Sequence, residues 1–171
     1  MIKWIQRSGR GIRNISSTVN QAEVEKFKQM SSDWWNPNGV CKPLHSMNRL
    51  RVPLVRDGMI ETGLTQPELA HTDKPLTGTR VLDVGCGAGI ISEALARLGA
   101  EVIAIDACED NIEAARRHQE ADTDGLQTLS YLCTSVEELA AAEKDKFDAV
   151  VASEVIEHVD NQEMFVSLCS R

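Results

Sequence analysis

The chain has 171 residues, a formal net charge of -8, 42% hydrophobic and 26% charged residues. That length allows one domain with a real core, and the composition excludes a disordered chain. The acidic balance argues against nucleic acid as a partner, and no apolar run approaches the roughly 18 residues that span a bilayer.

The first 20 residues stand apart. Lys3, Arg7, Arg10 and Arg13 lie there among Ser8, Ser16 and Ser17, with no acidic residue before Glu23. A basic, serine-containing, acid-free start reads as a mitochondrial transit peptide over 1–20, the plainer alternative being a basic tail, and is set aside from the fold. Residues 21–77 read as an N-terminal helical cap. Val24, Phe27, Met30 and Trp34 have helical spacing, which predicts a helix over 21–35. Asn36, Pro37, Asn38 and Gly39 end it with turn chemistry. Leu44–Ile60 reads as a second helix, capped by Ser46 or Asn48, with Pro53 in its first turn or kinking it. Glu61–Thr77 reads as a short helix or loop.

From 78 to 171 the pattern changes. Strand-like runs are Thr79–Val84, Glu101–Ile105, Leu129–Cys133 and an apolar Asp148–Ala152. Helical stretches are Ile90–Leu98, Asp110–Glu120 and Val136–Glu143. This alternation predicts an α/β, Rossmann-like fold with a parallel sheet. Cys41, Cys86, Cys108, Cys133 and Cys169 are odd in number and lack C-x-x-C spacing, so they read as reduced thiols rather than a disulfide frame or zinc site.

Gly85, Gly87 and Gly89 follow the first strand and open a helix. A missing Cβ permits a tight turn and lets a ligand touch the backbone, while the helix start presents N–H groups. Asp106 ends the second strand, about 20 residues on, where a carboxylate can accept both hydroxyls of an adenosine ribose. That much fits a nicotinamide dinucleotide or S-adenosylmethionine. Two features separate them. Ile90 stands where the dinucleotide fingerprint wants its third glycine. Asp83 lies two residues before the first glycine, where it would repel a pyrophosphate but stabilise a sulfonium and an ammonium. The segment Asp83-Val84-Gly85-Cys86-Gly87-Ala88-Gly89 therefore points to S-adenosylmethionine.

Ser153-Glu154-Val155-Ile156-Glu157-His158 follows the fourth strand, where open α/β sheets place ligands. On a helix, Glu154, Glu157 and His158 would share one face. They would then hold a divalent cation, with oxygen ligands suiting Mg²⁺ or Mn²⁺ and the histidine leaving Zn²⁺ open. The alternatives are a solvated acidic helix start, or His158 as a general base without metal.

Four segments carry a family resemblance: Phe27 to Trp35 with its double tryptophan; Lys42-Pro43-Leu44-His45 through Asn48-Arg49-Leu50-Arg51; the glycine loop with Asp106; and Glu154-Val155-Ile156-Glu157-His158-Val159. On these residues the chain resembles the ubiquinone-biosynthesis O-methyltransferases, mitochondrial enzymes that methylate polyprenylated catechols. The resemblance runs from about Glu23 to the end. It implies that Arg51 pairs with the cofactor's methionine carboxylate, that Gly85 meets the cofactor with its backbone, that Asp106 holds the ribose and that Ser153 touches the cofactor. It implies that Glu154, Glu157 and His158 are divalent-metal ligands, with His158 at the catalytic centre. The substrates implied are polyprenyl dihydroxybenzoate and demethylubiquinol. The setting implied is the matrix side of the mitochondrial inner membrane, by peripheral contact and among other ubiquinone-biosynthesis proteins. A bound cation would stabilise the phenolate that attacks the sulfonium methyl, or His158 would take the proton directly.

The family fold has seven strands, and four are legible here. The chain is therefore expected to be a truncated isoform, an incomplete gene model or a fragment. Its core, 78–171, would be incomplete, its fourth strand an unpaired apolar edge, and its cofactor binding and catalysis weak. The competing functions are a methyltransferase for another small molecule and a non-catalytic binding subunit of the ubiquinone-biosynthesis complex.

Overall fold

The computed structural model describes residues 17–31, 33–122, 126–142 and 147–170. The predicted leader therefore lies, up to residue 16, outside the described residues. Strands β1 (Arg80–Val84), β2 (Glu101–Asp106), β3 (Leu129–Cys133) and β4 (Ala149–Val151) form one parallel sheet in the order β3-β2-β1-β4. Between them run helices α3 (Ile90–Arg97), α4 (Glu109–Ala121) and α5 (Val136–Ala142); α6 (Gln162–Cys169) follows β4, and α1 (Gln21–Lys28) and α2 (Lys42–Glu61) precede β1.

The period of two along each strand sorts the core onto two faces. Val81, Val102, Ala104, Leu129 and Tyr131 pack with Ile91 and Leu95 of α3 and Ile112 and Ala115 of α4. Leu82, Val84 and Ile105 pack on the other face with Val136 of α5 and Phe165 of α6. Each fully buried aliphatic side chain contributes about 1.5–3 kcal/mol, so helices cover both faces of this sheet. The chain passes from β1 to β2 on one side and reaches β4 on the other. The crevice at the carboxyl ends of β1 and β4 is thus a topological switch point.

Four local expectations differ from the structure. The helix predicted over 21–35 ends at Lys28. Beyond it the amides of Met30 and Ser31 bond to carbonyls three residues back, and Trp34 is pulled inward beside the glycine loop. Helix α2 starts at Lys42 with Pro43 in its first turn. Neither Ser46 nor Asn48 caps it: the Ser46 hydroxyl donates to Lys42 O at 3.1 Å, and the Asn48 amide to Ile90 O at 2.7 Å. Strand β4 is shorter than predicted and sits at the sheet edge, with Val151 buried and Val150 37% exposed. No α-helix spans Ser153–His158. Glu154 takes φ +61°, and a single 3₁₀ turn spans Ile156–His158.

Thr18–Asn20, assigned on sequence to the leader, are built into the fold. Thr18 is 1% exposed, its N–H donates to Glu137 Oε1 at 2.5 Å, and its carbonyl accepts from Asp160 N at 2.9 Å. Val19 makes an antiparallel bridge to Val159. All five cysteines are free. No helix among the described residues is long and apolar enough to cross a membrane.

Candidate cofactor site

A cavity of about 280 Å³ opens at the carboxyl ends of β1, β2 and β4 and is roofed by Thr18–Asn20 and the inner face of α1. Its floor is the turn between β1 and α3. Gly85 and Gly87 have φ of +70° and +55°, a region that favours glycine. The Gly85 and Cys86 amides donate to Ile105 O at 2.8 and 3.0 Å, which ties the loop to the end of β2. A Cβ on Gly85 would lie 2.6 Å from Val155 Cγ2, and one on Gly87 would lie 2.5 Å from Trp34 Cη2. Side chains of the protein itself therefore press on the loop from two sides.

Asp106 stands at the end of β2. Its Oδ2 accepts from Gly87 N at 2.9 Å and its Oδ1 from Cys108 N at 2.8 Å, with Asn111 Nδ2 at 3.4 Å. Burial pushes its carboxyl up, and these hydrogen bonds pull it back. A carboxylate offers about four acceptor positions, and the two short backbone bonds leave room for ligand hydroxyls. Asp83, 1% exposed on β1, accepts from Ser92 Oγ at 2.5 Å. Burial pushes its carboxyl up to about 7, against the Ser92 hydrogen bond and the positive charge of Arg51.

Arg51 comes from α2. It donates through Nη1 to Ser153 Oγ at 3.2 Å, and through Nη2 to Leu44 O at 2.9 Å and Asn48 Oδ1 at 2.6 Å. Its Nε is buried without a partner. Burial lowers its pKa, while Glu154 and Asp83 raise it. A buried guanidinium N–H without an acceptor is costly, and an anionic ligand group would satisfy it. Near Arg51 the cavity thus sets the carboxyls of Asp83 and Glu154, with Asp106 further along. That pattern fits a zwitterionic amino-acid head joined to a sugar, and so fits S-adenosylmethionine.

The structure brings Arg51, Gly85, Asp106, Ser153, Glu154 and His158 to the cavity lining. It does not assemble the metal set. Glu157 is exposed and absent from the lining, and no group of three His, Cys, Asp or Glu side chains among the described residues converges as metal ligands. The physical reason is the missing helix: the left-handed turn at Glu154 breaks the shared face on which the expected ligand set depends. His158 Nδ1 lies instead 2.7 Å from Glu23 Oε2, and its ring meets the Phe27 ring edge-on at 5.0 Å. Its Nε2 is 3.9 Å from Glu157 Oε1. The residues present do not fit the divalent cation that the resemblance implies.

Sequence reasoning missed the roof, whose Thr18 fell in the predicted leader, and the Glu23–His158 pair, which joins distant segments. It also gave Trp34 and Asn111 no role, although the Trp34 Nε1–H donates to Asn111 Oδ1 at 3.0 Å.

The chain matches a family model described as a methyltransferase domain over residues 82–171. It is 42% identical over 168 residues to the mitochondrial ubiquinone biosynthesis O-methyltransferase of Rattus norvegicus, covering 98% of the chain and 48% of that protein. For the Homo sapiens protein of the same name, identity is 45% over 153 residues, 90% of the chain and 40% of that protein. A ubiquinone biosynthesis O-methyltransferase of Mesorhizobium japonicum is 41% identical over 155 residues, 91% of the chain and 59% of that protein. The chain thus spans about half the length of these relatives. Among solved structures, magnesium protoporphyrin IX methyltransferase from Synechocystis PCC 6803 with bound SAH has a TM-score of 0.63 at 23% identity, over 87% of the chain and 65% of that structure. That likeness is one of fold.

Proposed function

The chain belongs to the methyltransferase-domain family, and from that premise we propose that it forms the S-adenosylmethionine-binding part of an O-methyltransferase acting on catechol hydroxyls of polyprenylated ubiquinone precursors, polyprenyl dihydroxybenzoate and demethylubiquinol. The observation that carries the cofactor is the buried, unpartnered Nε of Arg51, a residue lining a cavity that Asp83 and Asp106 also line. The substrate class rests on relatives of that name at 41–45% identity.

When bound, S-adenosylmethionine supplies an electrophilic methyl group. Arg51, held by Ser153, Leu44 and Asn48, receives the carboxylate of its amino-acid head, and Asp83 and Glu154 balance the positive groups. Asp106 receives the ribose hydroxyls. Gly85 lets the backbone approach the ligand, and Val155 yields the space it fills beside that glycine. A phenol has a pKa near 10, so a base must take its proton at neutral pH. His158 lies at the cavity wall. Glu23 receives its Nδ1–H, which leaves Nε2 as the basic atom. Catalysis then runs through positioning and proton removal by side chains of this chain, with no step assigned to a cation.

Two features support the setting. Leu50 and Leu54, one helical turn apart on α2, are 76% and 75% exposed, which suits peripheral contact with the matrix side of the mitochondrial inner membrane. The acid-free basic start and the mitochondrial relatives support that compartment. Association with other ubiquinone-biosynthesis proteins rests on the resemblance alone.

The test is methyl transfer to a demethylubiquinol analogue by the chain, with and without EDTA, beside His158→Gln. We expect turnover to survive the chelator and to fall roughly 100-fold or more in the variant. Turnover lost to EDTA and restored by Mg²⁺ would return Glu154, Glu157 and His158 to a metal role. A chain that releases no heat with S-adenosylhomocysteine and shows no turnover would favour the non-catalytic subunit.

A further inference from the structure

The double tryptophan is prominent in the sequence but has no part in the chemistry above. Its two indoles point to different places. Trp35 Nε1 donates to Ala88 O at 3.0 Å, and its ring stacks on His118 at 3.4 Å and 3°. Trp34 is 7% exposed, lies against Gly87, and donates through Nε1 to Asn111 Oδ1 at 3.0 Å. Asn111, 2% exposed in the first turn of α4, in turn places Nδ2 3.4 Å from Asp106 Oδ1.

The polarity of this chain of contacts has only one solution. An indole N–H can only donate, and an ionised carboxylate can only accept. The amide between them must turn its oxygen to Trp34 and its nitrogen to Asp106. Removing the indole donor would leave the Asn111 oxygen buried and unpaired. The amide would then be anchored on that side only by its long 3.4 Å contact to Asp106. The same indole fills the space beside Gly87, whose N–H holds the other carboxylate oxygen. Trp34 therefore touches two of the three groups that hold Asp106, the third being the Cys108 N–H, without touching Asp106 itself.

We propose that Trp34 is a positioning residue for the cofactor: through Asn111 and Gly87 it fixes the orientation in which Asp106 receives the ribose hydroxyls. This rests on the S-adenosylmethionine reading of the cavity. It predicts that the effect of Trp34 is confined to the hydroxyl contact and is not a general loss of the pocket.

The experiment is calorimetric titration of the full chain, wild type and Trp34→Phe, with S-adenosylhomocysteine and with its 2′,3′-dideoxyribose analogue. Phenylalanine keeps a ring near Gly87 and removes the donor. Losing one hydrogen bond to a charged group is worth roughly a tenfold change in affinity. Trp34→Phe is expected to weaken S-adenosylhomocysteine by about that factor and the dideoxy analogue by about twofold or less. Asn111→Leu, which breaks the relay from its other end, is expected to give the same hydroxyl-selective loss. The double variant should lose no more than either alone. Equal weakening of both ligands, or none, in Trp34→Phe and in Asn111→Leu would overturn the relay. Wild type that binds neither ligand overturns the cofactor reading itself, and the relay with it.

Discussion

Asp83 is where a single residue couples stability to binding. Its carboxyl titrates at about 7 in the fold and near 3.8 in an unfolded chain, because burial penalises the charge. The folded state therefore keeps a proton that the unfolded state gives up. Stability from this group is full below about pH 4, declines as pH rises and levels off above about pH 7, a loss on the order of 2–4 kcal/mol. Asp83→Asn is expected to abolish that decline between pH 5 and pH 8 in urea denaturation, while weakening S-adenosylmethionine more than tenfold at pH 8. A variant whose pH slope matched wild type would place the titration elsewhere. Asp83, Gly85 and Asp106 were legible in the sequence because strand, tight turn and helix start are local signals. Asn111 was not, since its partner Trp34 lies 77 positions away and no periodicity links them.

At the scale of elements, the strands and core helices were read to within a residue or two, since their alternation is set by burial on two sheet faces. The failures were where tertiary contact overrides spacing. Trp34 sits on the helical period of α1 yet leaves the helix to reach Asn111. Glu154 takes a left-handed φ that nothing in a non-glycine residue announces, and with it the expected metal-binding helix disappears. The glycine loop gives the sharpest test of packing against intrinsic preference. Gly87→Ala would place a Cβ 2.5 Å from Trp34 at φ +55°, and is expected to cost about 1–3 kcal/mol in denaturation. Gly58, inside α2 with nothing within 4 Å of its would-be Cβ, should gain about 0.5–1 kcal/mol on the same change. A Gly87→Ala chain that denatured no earlier than wild type would show the loop to be less constrained than this geometry implies.

For the molecule as a whole, the sheet stops at β4, whose outer side pairs with no strand among the described residues. Val150 on that edge is 37% exposed. An open apolar edge invites pairing with a second chain, and a lysine blunts it. Val150→Lys is expected to lower concentration-dependent association in size-exclusion chromatography with light scattering, leaving the melting temperature within a few degrees. Unchanged association would put the contact on another surface. The sequence showed this strand as apolar but, with no register information, gave no sign that Val151 alone is buried.

Asn20 and Asp160 bond at 2.7 Å across 140 positions, and Thr18 and Val19 clasp the same distant stretch. Contacts so remote in the chain must offset the entropy of closing a loop of that length. The roof of the cavity is therefore held by residues near opposite ends of the described chain, and would come apart with the loss of either.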